Sequence, residues 1–324
     1  MRLTRRKLLL AAVPAMAGAR ASFAAAPPLR IGLLRYGSVS WELDVLTAHG
    51  LDKAHGIAIE TTEYAGSQAT QVALQAHDAD MIALDFLWVS RQRGAGADWC
   101  FAPISSAQGA LVVPAASPIR AIGDLKGKRL GIAGSPIDKS WLILRAFARR
   151  TLGIDIDREA DKSFAAPPLL AEALAAGRLD AMLTYWPYAA KAEAAGARRV
   201  IAVEEMMLGL GLPRSLPMVG YVFSAAWADS RKSDVTGFLA AAAEARDILG
   251  RSDAEWQRVA KLTGAAGPDE LDRLRDWYRG GIPGAFGAAE IDAAHRLYKT
   301  LQDAGGTELT GPAPDLAPGT FWRH

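Results

Sequence analysis

The sequence predicts an α/β protein built as two lobes with a ligand cleft between them. Two observations carry this. Strand-like apolar runs alternate with helix-like runs, which predicts a mostly parallel sheet covered by helices. The chain also gives nearly the same message twice, about one hundred residues apart. The first pass reads LRIGLLRYGSVSWELDVL (29–46) and later ALQAHDADMIALDFLW (73–88). The second reads KRLGIAGSPIDKSWLILRAF (128–147) and later ALAAGRLDAMLTYWPY (173–188). In each pass a short apolar run ends in a Gly/Ser loop that opens a helix with a Trp near its start. A later helix stops before a turn carrying Asp80 or Asp180, and the next apolar run ends in aromatics.

The elements follow in order. Residues 29–34 read as a strand, and 41–55 as a helix ended by Gly56. Residues 57–64 are a strand; 67–77 are a helix with Ser67 as N-cap. Strands at 80–84 and 99–104 flank a short helix at 87–94. Residues 110–114 begin a crossing strand, and 124–128 form a helical turn before the strand 129–133. The second lobe repeats the order: helix 139–152, strand 162–164, helix 168–176 with Gly177 at its C-terminus, strands 181–185 and 200–203. An apolar run at 217–224 returns the chain. Amphipathic helices are expected at 233–249, 254–263, 268–279 and 288–304. The tail after Gly305 reads as a surface strap whose Phe321 and Trp322 dock on the body. The lobes are therefore expected at 27–112 with 219–324, and at 113–218.

Residues 1–26 read as an export signal: a basic start, an apolar run too short to span a bilayer, then small residues. The pair Arg5-Arg6 before Lys7-Leu8 is similar to a twin-arginine signal; an ordinary secretory signal is the alternative. Without its five basic residues the chain's 37 basic and 35 acidic residues become 32 and 35, a net −3. That balance argues against nucleic-acid binding, which wants a basic face. The apolar run at 8–16 is the only candidate span, so no membrane span is expected in the mature chain. Cys100 is the one cysteine, so no intrachain disulfide forms. Within Asp98-Trp99-Cys100-Phe101 it reads as a buried strand residue.

The stretch VVPAASPIRAIGDLKGKRLGIAGSPIDKSWLILRAF (112–147) resembles the periplasmic solute-binding proteins of sulfonate, taurine, nitrate and thiamine-pyrimidine-precursor importers. ALAAGRLDAMLTYWPYAAKAE (173–193) and ETTEYAGSQATQVALQAHDADM (60–81) are similar to the matching stretches. The resemblance implies a type II periplasmic-binding-protein fold, with crossings near 112–114 and 217–221 and a small molecule held between the lobes. It also implies a periplasmic monomer that serves an inner-membrane ABC permease without cofactor or catalysis.

Candidate site residues follow from the two half-sites. The loop 134–141 opens a helix whose free N–H groups attract an anion, with Ser135, Asp138 and Ser140 in it. Ser38, Ser40 and Trp41 belong to the partner loop; Trp41 reads as cleft wall or as core. Arg35 reads as an anion ligand or as the ion-pair partner of Glu42 or Asp85. Asp85 departs from the resemblance, where a small or neutral residue is expected. Facing the cleft it would favour a cation or an N–H donor, and otherwise it caps the next helix. Tyr185, Trp186 and Tyr188 form the matching aromatic element. Ser105, Ser106 and Gln108 lie before the first crossing, with free backbone N–H groups expected there, and Tyr221 lies on the return. The same fold hosts pyrimidine-synthesising and desulfinating enzymes. Desulfination needs a Cys in the first-lobe loop, where this chain has Ser38 and Ser40, and its five His form no metal-spaced cluster. An accessory protein that binds another periplasmic protein is the third class.

Overall fold

The structure, a computed structural model, describes residues 27–35 and 37–323. The expected export signal and Tyr36 lie outside the described residues. Ten strands form two five-stranded sheets. The first has the order β2-β1-β3-β10-β4. These strands are β1 (Leu29–Leu34), β2 (Ile59–Tyr64), β3 (Met81–Asp85), β4 (Trp99–Ser105) and β10 (Val219–Ser224). The second has the order β7-β6-β8-β5-β9. Its strands are β5 (Gly109–Val113), β6 (Arg129–Ala133), β7 (Asp161–Ala165), β8 (Ala181–Tyr185) and β9 (Arg198–Ala202). In both sheets the crossing strand, β10 or β5, runs antiparallel between two strands of the other direction. The repeat read in the sequence is thus a repeat of topology.

The repeat extends to single hydrogen bonds. Asp80 accepts from the backbone N–H, Nε and Nη2 of Arg30 at 2.9, 3.2 and 2.6 Å. Asp180 accepts from the same three groups of Arg129 at 2.8, 3.1 and 2.7 Å. Each pair pins a helix-to-strand turn to the neighbouring parallel strand, β1 or β6. The Arg129 guanidinium holds the Asp180 carboxyl down at about 2. That depressed value contributes stability above the ordinary carboxylate range, lost as pH falls through about 2.

Helices cover the sheets: α1 (Val39–Ala48), α2 (Leu51–Ala54), α3 (Ser67–Gln75) and α4 (Phe86–Gly94) in the first repeat. Its counterpart in the second holds α5 (Lys139–Phe147), α6 (Ile156–Glu159), α7 (Pro167–Ala175), α8 (Trp186–Ala194) and α9 (Val203–Gly209). After β10 come α10 (Ala225–Ser230), α11 (Lys232–Arg251), α12 (Asp253–Thr263), α13 (Pro268–Gly280), α14 (Ala288–Gly305) and α15 (Thr307–Thr310). The helix expected at 41–55 is two helices, because Gly50 takes a left-handed φ of 66° between them. The N-cap of α3 is Gly66, with Ser67 the first helical residue.

Three expectations are corrected here. The strand 109–113 belongs to the second sheet, pairing with β8 and β9, so the first crossing lies between Ser105 and Gly109 and not at 112–114. Gly109 is required there: its φ is 150°, and a Cβ would collide with the Thr184 carbonyl oxygen. The expected strand 200–203 is β9 at Arg198–Ala202, and Val203 already begins α9. The C-terminal helices do not all cover the first sheet. Helices α11 and α12 pack on α1, but α13 packs on α8 and α14 on α5 of the second repeat. Trp277 on α13 donates to Glu193 on α8 at 3.0 Å, and Lys191 on α8 pairs with Glu270 on α13 at 3.2 Å. Ala293, Ala294 and Leu297 of α14 are fully buried in one apolar cluster with Leu142 and Ile143 of α5. Small side chains on α14 permit that close approach.

The tail forms a strap. Phe321 bridges to Phe101 on the edge strand β4, and Trp322 stacks edge-on against Phe223. Edge strands left open invite pairing with other chains, so the strap protects this one. Cys100 is buried with its Sγ against the Phe223 carbonyl, and burial pushes its thiol up to about 12. Burial of this kind disfavours the thiolate, the nucleophilic form of cysteine.

Candidate ligand-binding site

The carboxyl ends of the parallel strands of both sheets face a shared cleft of about 510 Å³. Crevices of this kind, at strand ends and between domains, are where open α/β folds bind ligands. One wall comes from the first repeat: the loop at Gly37, Ser38 and Val39, the start of α3 at Gly66–Gln68, and Asp85 with Trp88. The facing wall comes from the second: Gly134, Ser135, Asp138 and Lys139, then Tyr185 to Tyr188. Ser105, Gln108 and Val219 lie where the chain crosses.

Nine of the fourteen candidates named from sequence line the cleft: Ser38, Asp85, Ser105, Gln108, Ser135, Asp138, Tyr185, Trp186 and Tyr188. Five do not. Ser40 turns its hydroxyl back to the Gly37 carbonyl at 3.0 Å. Ser106 is buried and donates to the Gly281 carbonyl at 3.2 Å. Ser140 is buried under the start of α5. Trp41 is buried in an aromatic cluster, with ring centroids 5.7 Å from Trp186, 5.8 Å from Trp256 and 6.5 Å from Tyr278. Tyr221 is fully buried, its ring 4.8 Å from Phe238, because its strand face turns toward α11. Arg35 pairs loosely with Glu63 at 3.8 Å, not with Glu42 or Asp85.

The helix start expected to hold an anion is already occupied. Asp138 caps α5, its Oδ1 accepting from the Ser140 N–H at 2.8 Å, and its Oδ2 accepts the Tyr185 hydroxyl at 2.9 Å. Gly134 makes room for this pair: with φ at 94°, a Cβ there would lie 2.7 Å from the Tyr185 hydroxyl. Burial pushes the Asp138 carboxyl up, and Asp85 adds to the push, against Lys139 and the two hydrogen bonds. Asp85 plays both parts foreseen for it. It caps α4 through the Trp88 N–H at 2.9 Å, and it lines the cleft. The loop before the first crossing offers no free amide either. The N–H groups of Ser106, Ala107 and Gln108 donate to the Gly281 carbonyl, the Ser105 hydroxyl and Glu204. Helices α1 and α3 start on the cleft wall without a side-chain cap. The sequence reading missed α3, although Gly66-Ser67 repeats the strand–Gly/Ser–helix pattern of the two chosen loops. It also missed Arg91 and Lys139, since a helical cation has no signal of its own.

Behind the first wall sits a buried polar network. Glu42 accepts from the Tyr221 hydroxyl at 2.7 Å, Arg246 Nη1 at 2.9 Å and the Tyr278 hydroxyl at 3.4 Å. A side cavity of about 20 Å³ beside it shares Ser38, Val39, Ile104 and Ser105 with the cleft. Burial, and then the Glu42 charge, hold both tyrosines well above their ordinary pKa, so they remain neutral donors. Among the described residues no group of three His, Cys, Asp or Glu is placed to hold a metal ion, and no helix is long and apolar enough to cross a membrane.

Comparison with solved structures places this architecture among known ones. The alkanesulfonate-binding protein SsuA of Xanthomonas axonopodis pv. citri, bound to MOPS, superposes with a TM-score of 0.71 at 22% identity, over 93% of this chain and 100% of that one. The periplasmic aliphatic sulphonate binding protein SsuA of Escherichia coli gives 0.71 and 22%, over 92% and 93%. The desulfurization enzyme DSZB gives 0.57 and 17%, over 87% and 96%. At these identities the likeness is one of fold: the two-lobe α/β architecture of periplasmic binding proteins. A search of curated proteins finds no match. The pattern of the NMT1-like family matches residues 11–264, most of the sequence and all the strands of both sheets, so the chain belongs to the NMT1-like family.

Proposed function

We propose that this protein is the periplasmic substrate-binding component of an ABC importer and captures one small organic molecule between its lobes. The observation that carries this is the cleft itself, about 510 Å³ and lined from both repeats at their strand ends. The volume suits a small organic ligand. Trp88, Trp186, Tyr185 and Tyr188 supply apolar walls, which suit a heteroaromatic ring or an alkyl chain. An anionic end, sulfonate or carboxylate, goes to the uncapped starts of α1 and α3, where N–H groups and the helix dipole favour negative charge. This moves the polar end from Ser135 and Ser140, where the sequence put it, to the opposite wall. The SsuA relatives support a sulfonate-like ligand, and the resemblance of residues 1–26 to an export signal supports the periplasm.

An enzyme on the same fold is the second reading, favoured by the likeness to DSZB. The described cleft lining holds neither Cys nor His, and Cys100 is buried in β4, which supports binding over nucleophilic chemistry. Native mass spectrometry of protein purified from its own periplasm is expected to show one small molecule per chain, displaced unchanged by unfolding. Recovery of a chemically altered product after incubation with that molecule would instead make the chain an enzyme. Export is expected to depend on Arg5 and Arg6. With both changed to Lys, precursor should accumulate in the cytoplasm, and normal periplasmic delivery of that variant would rule out the twin-arginine route.

A further inference from the structure

We infer that the two lobes form one rigid body, and that ligand enters and leaves the cleft without hinge closure. The loading step rests on the binding function proposed above; the rigidity does not. Two domains are expected to move against each other unless the interface between them is large and apolar. Here the apolar clusters do not stop at the lobe boundary. On one side, Trp186 and Ala190 of α8, in the second repeat, are buried in one cluster with Trp41, Trp256 and Tyr278. On the other, Trp88 of α4 and Trp141 of α5 belong to a single buried cluster with Tyr298 and Leu301 of α14. The strap after α14 then returns to the first repeat. Arg93 on α4 donates to the Pro318 carbonyl at 2.6 Å, and the Ala317 N–H donates to the Ser90 hydroxyl at 2.9 Å. Polar ties follow the same seam. Lys191 on α8 donates to the Thr263 and Gly264 carbonyls at the end of α12, at 3.2 and 2.8 Å. The Arg199 guanidinium on β9 lies over the Trp277 ring of α13, 4.8 Å from its centre.

The crossings are held as firmly. A hinge is a few loop or element-terminal residues that absorb a large change in φ and ψ. The loop between β4 and β5 is the place for one. Ser106 there gives both its N–H and its hydroxyl to the Gly281 carbonyl at the end of α13, at 2.9 and 3.2 Å. A Cβ on Gly281 would lie 2.4 Å from the Ala107 Cβ, so the helix end is wedged against the loop. On the return crossing Leu216 and Met218 are fully buried, and the Met218 N–H donates to the Ser105 carbonyl at 3.2 Å. Rotation of one lobe would have to break two apolar clusters and both crossings at once. Access to the cleft needs no rotation. Ala65, Gln68 and Gly134 line it and are exposed, so a ligand reaches it from solvent with the lobes where they are. Contacts alone then hold the ligand, and no fraction of its affinity is lost to a lobe rearrangement.

Distance measurement between two spin labels tests this. Val72 on α3 and Leu169 on α7 sit on matching helices of the two repeats and are 63% and 59% exposed. The starts of these helices line the cleft from its two walls. The double variant Val72→Cys with Leu169→Cys takes a nitroxide at each site, while Cys100 is buried and is spared. Three samples are compared: protein as purified, protein stripped of small molecules by unfolding and refolding, and stripped protein given ethanesulfonate. One narrow distance is expected, the same within about 2 Å in all three, since hinge closure moves domains by more than that. A second population in the stripped protein, or a shift beyond about 2 Å in either of the other samples, would overturn the inference and leave the binding function standing. Small-angle scattering of the unsubstituted protein, stripped and as purified, gives the same answer without labels. An equal radius supports the rigid body, and a smaller radius in the as-purified sample overturns it. A single distance in a protein that holds no small molecule and binds none supports the rigid body and overturns the binding function.

Discussion

Replacing Glu42 by Leu is expected to destabilise the protein by about 3–5 kcal/mol, because it strands the Arg246 guanidinium in the interior. Glu42 is 4% exposed at its side chain and Arg246 12%, and they meet at 2.9 Å. The pair itself adds little against a well-packed apolar isostere, but removal of one partner leaves a buried charge without an answer. Tyr221 loses its only hydrogen-bond acceptor among the described residues in the same step. Thermal denaturation followed by circular dichroism should show the midpoint falling by roughly 10 °C for a chain of this size. The double variant Glu42→Leu with Arg246→Met should recover much of the loss, since it removes both charges. A single variant within about 2 °C of wild type would show that the network is not holding its elements together. Those elements matter to the cleft. Glu42 lies on α1, whose start forms part of its wall, Tyr221 on the crossing strand β10, Arg246 on α11, and Tyr278 on α13, which reaches the second repeat.

Much of this architecture was legible in the sequence because it is written in local pattern. The strand at Ala181–Tyr185 was read to the residue. Asp80 and Asp180 were visible as repeated turn residues before the structure showed each clamped by an arginine. What was not legible depends on partners far along the chain. Residues 110–114 read as a strand, but no local signal says which sheet a strand joins, and the crossing was placed too late. Tyr221 looked available because it sits on a crossing strand. The cleft, however, lies off the carboxyl ends of the parallel strands, so Val219 at the start of the antiparallel β10 reaches it and Tyr221, two residues further on, does not. Asp85 shows a different limit. Cap and cleft wall were weighed as alternatives, and one carboxylate serves as both.

Trp41→Ala is expected to cost about 3–5 kcal/mol, as large-to-small changes at buried aromatics do, and to loosen the two repeats from each other. Trp41 follows the first-repeat loop in α1. Its ring meets Trp186 of α8 edge-on at 5.7 Å, and meets Trp256 of α12 and Tyr278 of α13 on other sides. Trp186 lines the cleft on the second-repeat side. The cluster therefore joins the repeats directly behind the ligand space, while α13 and α14 join them from outside. Each edge-on aromatic pair contributes about 0.5–1.5 kcal/mol beyond the area it buries. A closed cleft stabilised this way needs less of the ligand's binding energy to stay closed, so its loss should weaken binding as well as folding. Urea denaturation should give the stability loss, and small-angle scattering should show a larger mean radius for the ligand-free variant. Trp41→Phe, which keeps an aromatic ring against Trp186, should restore most of both. If Trp41→Ala leaves the radius and the ligand affinity unchanged while stability falls, Trp41 is core alone and the repeats are held by α13 and α14. If stability is also unchanged, the cluster is not packed as described.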